Sequence, residues 1–87
     1  MIHIAVCDDE EYFRLREKKL VREYMEKRKY SYTIDTYSSG KEMLDAANVP
    51  LQYDIIFLDI NMEELDGLET ARRIREISAK VSIVFVT

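Results

Sequence analysis

Three short runs of apolar, largely β-branched residues divide the chain: Ile2 to Cys7, Asp54 to Asp59 and Val81 to Thr87. None alternates strictly with polar residues, which is the pattern of strands covered on both faces. Tyr32 to Tyr37 alternates more weakly and carries Asp35 within it, as suits an edge strand. Helical signals fill the intervals. Phe13, Leu20 and Tyr24 share one helical face, widened by Val21 and Met25, with Arg and Lys over the rest. Ser39-Gly40-Lys41-Glu42 has capping-box spacing and opens a second, shorter helix closed by Asn48 and Pro50. Asp66-Gly67-Leu68-Glu69 repeats the device before a third helix that runs to about Ser78, in which Leu68, Ala71 and Ile74 are expected to face inward.

The resulting order, β-α-β-α-β-α-β, predicts right-handed crossovers and an α/β, doubly wound parallel sheet with helices on both sides. A chain of 87 residues has room for one domain, and neither a repeat nor a linker rich in Gly, Ser or Pro divides it. The 47% hydrophobic and 34% charged content is that of a folded protein rather than a disordered tail. A net charge of −4 opposes direct nucleic-acid binding, which needs a surplus of Lys and Arg on one surface. Apolar runs such as Ile55 to Leu58 fall far short of the roughly 20 residues of a spanning helix, so no membrane association is expected. Cys7 has no second cysteine to pair with, and the first residues do not read as a secretory signal; the expected location is cytoplasmic.

Ligands of such sheets bind beyond the carboxyl ends of the strands, where the strand order reverses. That rule directs attention to Cys7 through Glu10, Asp59 through Gly67, and Thr87. Asp8 and Asp9 end the first strand and Asp59 ends the third, so the fold gathers carboxylates from distant parts of the sequence. Packed acids raise one another's pKa unless a cation intervenes, and an all-oxygen donor set with few protein ligands suits Mg²⁺. A carboxylate is also a nucleophile toward phosphorus, and bound Mg²⁺ lowers its repulsion of an incoming phosphoryl group. Asp59 is the best placed, behind the rigid run Ile55-Ile56-Phe57-Leu58, and Thr87 offers a hydroxyl to a phosphoryl oxygen. Plainer roles compete with these. Asp8 through Glu11 also suit a helix N-terminus, Asp66 is explained by capping, His3 and Cys7 read as structural, and Tyr30 to Tyr37 as strand packing.

At these residues the chain resembles a known family. Ile4-Ala5-Val6-Cys7-Asp8-Asp9-Glu10 is similar to the opening strand and acidic pair of response-regulator receiver (CheY-like) domains. Asp54 through Met62, followed by Leu65-Asp66-Gly67-Leu68-Glu69, resembles the phosphoacceptor strand and the Asp-Gly helix start after it, and Val81 to Thr87 resembles the strand ending in Ser or Thr. The resemblance implies a flavodoxin-like sheet of strand order 2-1-3-4. It implies Asp59 as phosphoacceptor for a sensor histidine kinase, Asp9 as a direct Mg²⁺ ligand with Asp8 in support, the Asn61 backbone carbonyl as a further metal ligand, and Thr87 as the switch hydroxyl. The Cys-Asp-Asp-Glu opening and Leu-Asp-Ile-Asn-Met segment look most like the branch whose output is a LytTR-type DNA-binding domain.

Two departures accompany the likeness. Receivers usually carry proline after the Met62 position, where this chain has Glu63. The family's next strand brings a phosphate-pairing lysine, so residues 1–87 are expected to be an incomplete receiver, ending before the fifth strand and without its output domain. Such a chain is a signalling module rather than an enzyme, expected to be poorly active by itself. It is also expected to self-associate, as a dimer, to cover its fourth strand. One alternative is an oligomerising fragment with no phosphotransfer activity. Another is a small phosphohydrolase working through an aspartyl phosphate on Asp59; such enzymes usually have a second Asp where this chain has Asn61.

Overall fold

The computed structural model describes residues 1–46, 52–62 and 65–86. Its elements follow the expected order: β1 Ile2–Cys7, α1 Glu11–Lys27, β2 Tyr32–Tyr37, α2 Gly40–Asp45, β3 Ile55–Asp59, α3 Gly67–Ile77 and β4 Ser82–Val86. The strands form one parallel sheet of order β2-β1-β3-β4, the flavodoxin-like arrangement of receivers. β2 lies at an edge, as its weak alternation foretold. Asn48, Pro50, Glu63 and Thr87 lie outside the described residues.

Side chains alternate between the faces of each strand, and the two faces are covered differently. Ala5, Cys7, Ile56 and Leu58 point to the side of α2 and α3, where they form the main core with Met43, Tyr53, Met62, Ala71, Ile74 and Val81. Ile4 and Val6 are fully buried on the α1 side. Further across that face the cover is thin. Leu20, Val21, Tyr24 and Met25 of α1 stand with Ile55 and Phe57 around an open apolar groove. The apolar stripe expected on α1 therefore exists, but only Met25 is buried, and Phe13, Leu20 and Tyr24 remain exposed.

The helix starts are made by the signals that announced them. The Ser39 side chain accepts from the Glu42 N–H at 3.0 Å, and the Asp66 side chain accepts from the Glu69 N–H at 2.8 Å. Glu42 completes the first device one residue early, its carboxylate accepting from the Ser38 N–H and hydroxyl rather than from Ser39. In α3 the buried face is Gly67, Thr70, Ala71 and Ile74, while Leu68 is 59% exposed, contrary to the expectation that it faces inward. The physical reason is Gly67. Its lack of a side chain lets the start of α3 press onto the Asp59–Ile60 backbone, which fixes the rotation of the helix and turns Leu68 outward. No helix among the described residues is long and apolar enough to cross a membrane.

Candidate functional site

The chain leaves β1 toward β2 on one side and returns to β3 on the other, so the strand order reverses between β1 and β3. Cys7 pairs with Leu58 in the register of these two strands, which sets the next residues, Asp8 and Asp59, side by side at the rim. Asp8, Asp9 and Asp59 each present a carboxylate oxygen, and these atoms lie within 4.8 Å of one another. A cleft of roughly 210 Å³ opens beside them, lined by Asp8, Glu10, Phe13, Glu17, Asp59, Asn61 and Val86.

Local backbone bonds fix the acids. Oδ1 of Asp8 accepts from the Glu10 N–H at 3.0 Å, and the Arg14 guanidinium donates to the Asp8 carbonyl at 2.9 Å. Oδ1 of Asp59 accepts from the Asn61 N–H at 3.0 Å. Each of these two carboxylates thus has one oxygen held by a turn and a second left for other partners. Behind Asp59, the Ile60 N–H donates to Val86 and the Gly67 N–H to Ile60, so the loop is stitched to β4 and to α3.

The electrostatics are those of crowded acids. Burial pushes the Asp59 carboxyl up from its ordinary range, the Asn61 N–H opposes that, and Asp8 and Asp9 add to the rise. Burial, and the acids around it, push the Cys7 thiol up to about 12. A buried thiol at that value is a small apolar core residue, as the sequence suggested. His3, too, has structural partners: its main-chain N–H donates to the Asp54 carboxylate at 2.8 Å and its ring Nδ1 lies 3.0 Å from the Thr33 hydroxyl.

The structure thus brings Asp8, Asp9, Asp59 and Asn61 to one rim, as expected. One residue of the cleft was not anticipated: Glu17, whose two carboxylate oxygens are shielded from solvent without a hydrogen-bond donor among the described residues. Burial first, then Asp8, pushes its carboxyl up to about 7. The sequence did hold a signal, because Glu17 sits four residues after Phe13 and three before Leu20, an acid inside the apolar stripe of α1.

An open parallel sheet with acids at its switch point defines a class of α/β phosphate and metal sites. Within it, the response regulator receiver domain matches residues 4–87, and the chain belongs to that family. The transcriptional regulatory protein ResD of Bacillus subtilis (strain 168) is 40% identical over 76 residues, which is 87% of this chain and 29% of that protein. A receiver domain protein from Clostridium thermocellum matches in fold with a TM-score of 0.81 at 23% identity, over 98% of this chain and 64% of that one. One chain from the complex of the histidine kinase ThkA with the response regulator protein TrrA gives a TM-score of 0.80 at 34% identity, over 100% of this chain and 69% of that one. The chain therefore spans under a third of ResD and about two thirds of these solved chains.

Proposed function

We propose that Asp59 accepts a phosphoryl group from a sensor histidine kinase, at a site where Asp8, Asp9, Asp59 and the Asn61 carbonyl hold Mg²⁺. The observation that carries this reading is the convergence of the Asp8, Asp9 and Asp59 carboxylates at the switch point of a receiver sheet. The donor set fits the metal, since it is all oxygen, carries several negative charges and leaves room for retained waters. When bound, Mg²⁺ neutralises charge between the carboxylates and the incoming phosphoryl. An oxygen of Asp59 attacks phosphorus, the phosphorus–nitrogen bond of the phosphohistidine breaks, and its electron pair stays on the imidazole. Asn61 contributes by orienting the nucleophile, its N–H holding Oδ1 and leaving Oδ2 for attack. Thr87 is the proposed switch hydroxyl. The partnership with a kinase is supported by the similarity to a chain of the ThkA–TrrA complex.

The test is intact-mass measurement after incubation with a phosphorylated kinase or acetyl phosphate in Mg²⁺. Addition of one phosphoryl group is expected, and none in Asp59→Asn. Modification that persists in Asp59→Asn refutes the assignment. The role is signalling rather than turnover, with a DNA-binding output domain, of LytTR type on the likeness of the Cys-Asp-Asp-Glu opening, as the proposed target. Self-association is a second reading of this chain. Among the described residues β4 pairs only with β3, and Val84 and Phe85 are 42% and 43% exposed, so a second copy of the chain is the proposed cover. Light scattering coupled to size exclusion decides it, and a cooperatively melting monomer at micromolar concentration refutes it.

A further inference from the structure

The Asp8–Asp9 peptide joins two of the three rim acids, so its orientation decides where both carboxylates stand. It follows Cys7, the last paired residue of β1, and precedes α1, whose N-cap residue Glu10 makes no side-chain cap. The Asp8 N–H still donates to the Tyr37 carbonyl at 3.1 Å, as a strand residue would. The Asp8 carbonyl instead accepts from the Arg14 guanidinium, Nη1 lying 2.9 Å away. Asp8 is only 4% exposed, and a carbonyl so far removed from water needs a protein donor. Arg14 supplies it from six residues further along the chain, binding the opening of α1 back onto the end of β1. Helix electrostatics do not explain a cation at this place. Arg14 is the fourth residue of α1, where the positive end of the helix dipole favours acids such as Glu11. Its charge is felt at the start of α2 as well: after the Ser38 hydrogen bonds, Arg14 helps to hold the Glu42 carboxyl below its usual range.

We propose that Arg14 is a positioning residue of the acidic rim: by holding the Asp8 carbonyl it fixes the Asp8–Asp9 peptide, and with it the placing of the Asp9 carboxylate beside those of Asp8 and Asp59. Affinity for Mg²⁺ then depends on a side chain that is itself cationic. This rests on the Mg²⁺ reading above and deepens it. Without its donor the carbonyl turns toward water, which rotates the peptide and carries the Asp9 side chain with it. The Glu10 N–H retains one oxygen of Asp8, but nothing equivalent holds the peptide that follows. Two effects of the guanidinium oppose each other. Its charge repels a bound cation, so electrostatics alone predict tighter Mg²⁺ binding once it is removed. Its hydrogen bond orders the acids, so loss of order predicts weaker binding. Arg14 is half-buried, and water and salt screen its charge across the rim, whereas the hydrogen bond acts directly on the peptide that carries the ligand. The ordering effect is therefore the larger.

The experiment is a Mg²⁺ titration followed by amide NMR and calorimetry, on the wild-type chain, Arg14→Met, Arg14→Gln and Arg14→Lys, with thermal melts of the metal-free forms. Met and Gln suit a helix and remove the charge, so at least one is expected to fold. The expected result is Mg²⁺ affinity about tenfold or more weaker in both, the range for outer-shell partners of metals, with altered amide shifts at Asp8, Asp9 and Glu10 before metal is added. Arg14→Lys, which keeps a charged donor on a long stem, is expected to recover part of the affinity. A merely structural role lowers the melting temperature and leaves the affinity of the folded variants unchanged. Affinity tighter than wild type, or within about threefold of it, in a folded Arg14→Met or Arg14→Gln overturns the inference while leaving the metal site intact. Failure of both to fold also overturns it, since Arg14 is then a support of the whole fold rather than of the rim. Absence of Mg²⁺ binding by the wild-type chain overturns the metal reading, and this inference with it.

Discussion

Gly67 is where α3 meets the Asp59–Ile60 backbone, and a single methyl group there tests the geometry of the site. A Cβ at this position stands 2.4 Å from the Asp59 carbonyl oxygen, 2.9 Å from the Ile60 Cα and 3.0 Å from the Asp59 carbonyl carbon. All three are main-chain atoms of the turn that aims Asp59, so no side-chain rotation relieves the contact. The Gly67 N–H donates to the Ile60 carbonyl at 3.0 Å, which ties the helix start to the same turn. In Gly67→Ala either α3 withdraws by about 1 Å or the turn shifts, and overpacking of this kind costs about 1–3 kcal/mol, with rigid backbone placing it near the top. Alanine's better helix propensity returns at most about 1 kcal/mol, and less at a first helical position. The net loss of about 2 kcal/mol converts, for a chain of this size, to a melting temperature roughly 10 °C lower. Calorimetric melts measure it, and a Mg²⁺ titration of the folded variant shows whether Asp59 has moved. A melting temperature within about 2 °C of wild type with unchanged Mg²⁺ affinity refutes the argument that Gly67 is required by close approach.

Gly40 faces a comparable contact, its added Cβ lying 2.1 Å from Oγ1 of fully buried Thr70, so Gly40→Ala is expected to lose about 1–3 kcal/mol. In urea melts Gly40→Ala with Thr70→Ala is expected to recover part of that loss, whereas strict additivity counts against the contact. The buried Tyr53 hydroxyl donates to Asp35 at 2.5 Å and lies 2.8 Å from the Tyr37 hydroxyl. Tyr53→Phe is expected to cost about 1.5 kcal/mol by chemical denaturation, the low end for a bond to a charged group because Asp35 is exposed. In metal-free buffer the Glu17 carboxyl, raised from 4.5 to about 7 in the fold, makes the native state bind more protons than the unfolded chain across that interval. Its effect is absent at lower pH, and stability falls as pH rises through the window; melts with a chelator are expected to show the decline in wild type and a shallower one in Glu17→Gln.

Much of the fold was legible because its signals are local. Apolar runs mark β1, β3 and β4, Ser39 and Asp66 mark the helix starts, and the chain order of these elements allows few topologies. What local pattern leaves open is how each helix is rotated against the sheet. Periodicity alone admits Leu68 to the inward face of α3, and only the approach of Gly67 to the Asp59 backbone, a contact between elements, excludes it. The Tyr37–Tyr53–Asp35 chain was invisible for a related reason: it joins β2 to a residue just before β3, and no spacing within either segment announces it. The carboxylates at the rim were legible as strand-end residues, with the resemblance supplying their order of importance. Glu17 was missed because the stripe on α1 was traced through its apolar members alone, although its position relative to Phe13 and Leu20 puts it on the same face.

The site also explains why this small domain tolerates unfavourable electrostatics at its centre. Asp8 is only 4% exposed, and the oxygens of Asp8, Asp9 and Asp59 converge within 4.8 Å, with Glu17 shielded behind them. Left to themselves these groups oppose the compact state, and the raised Asp59 and Glu17 carboxyls are that opposition in another form. The turns at Glu10 and Asn61 nevertheless hold Asp8 and Asp59 in place through one oxygen each. Under the proposed function the arrangement is therefore organised before any cation arrives, and a bound cation relieves the repulsion. A cation that binds the fold and not the unfolded chain adds to stability in proportion to the logarithm of its concentration over its dissociation constant. Under the proposed function, the same carboxylates that weaken the metal-free domain make its folding responsive to Mg²⁺, and a less crowded set of acids, though more stable, would bind the metal less well.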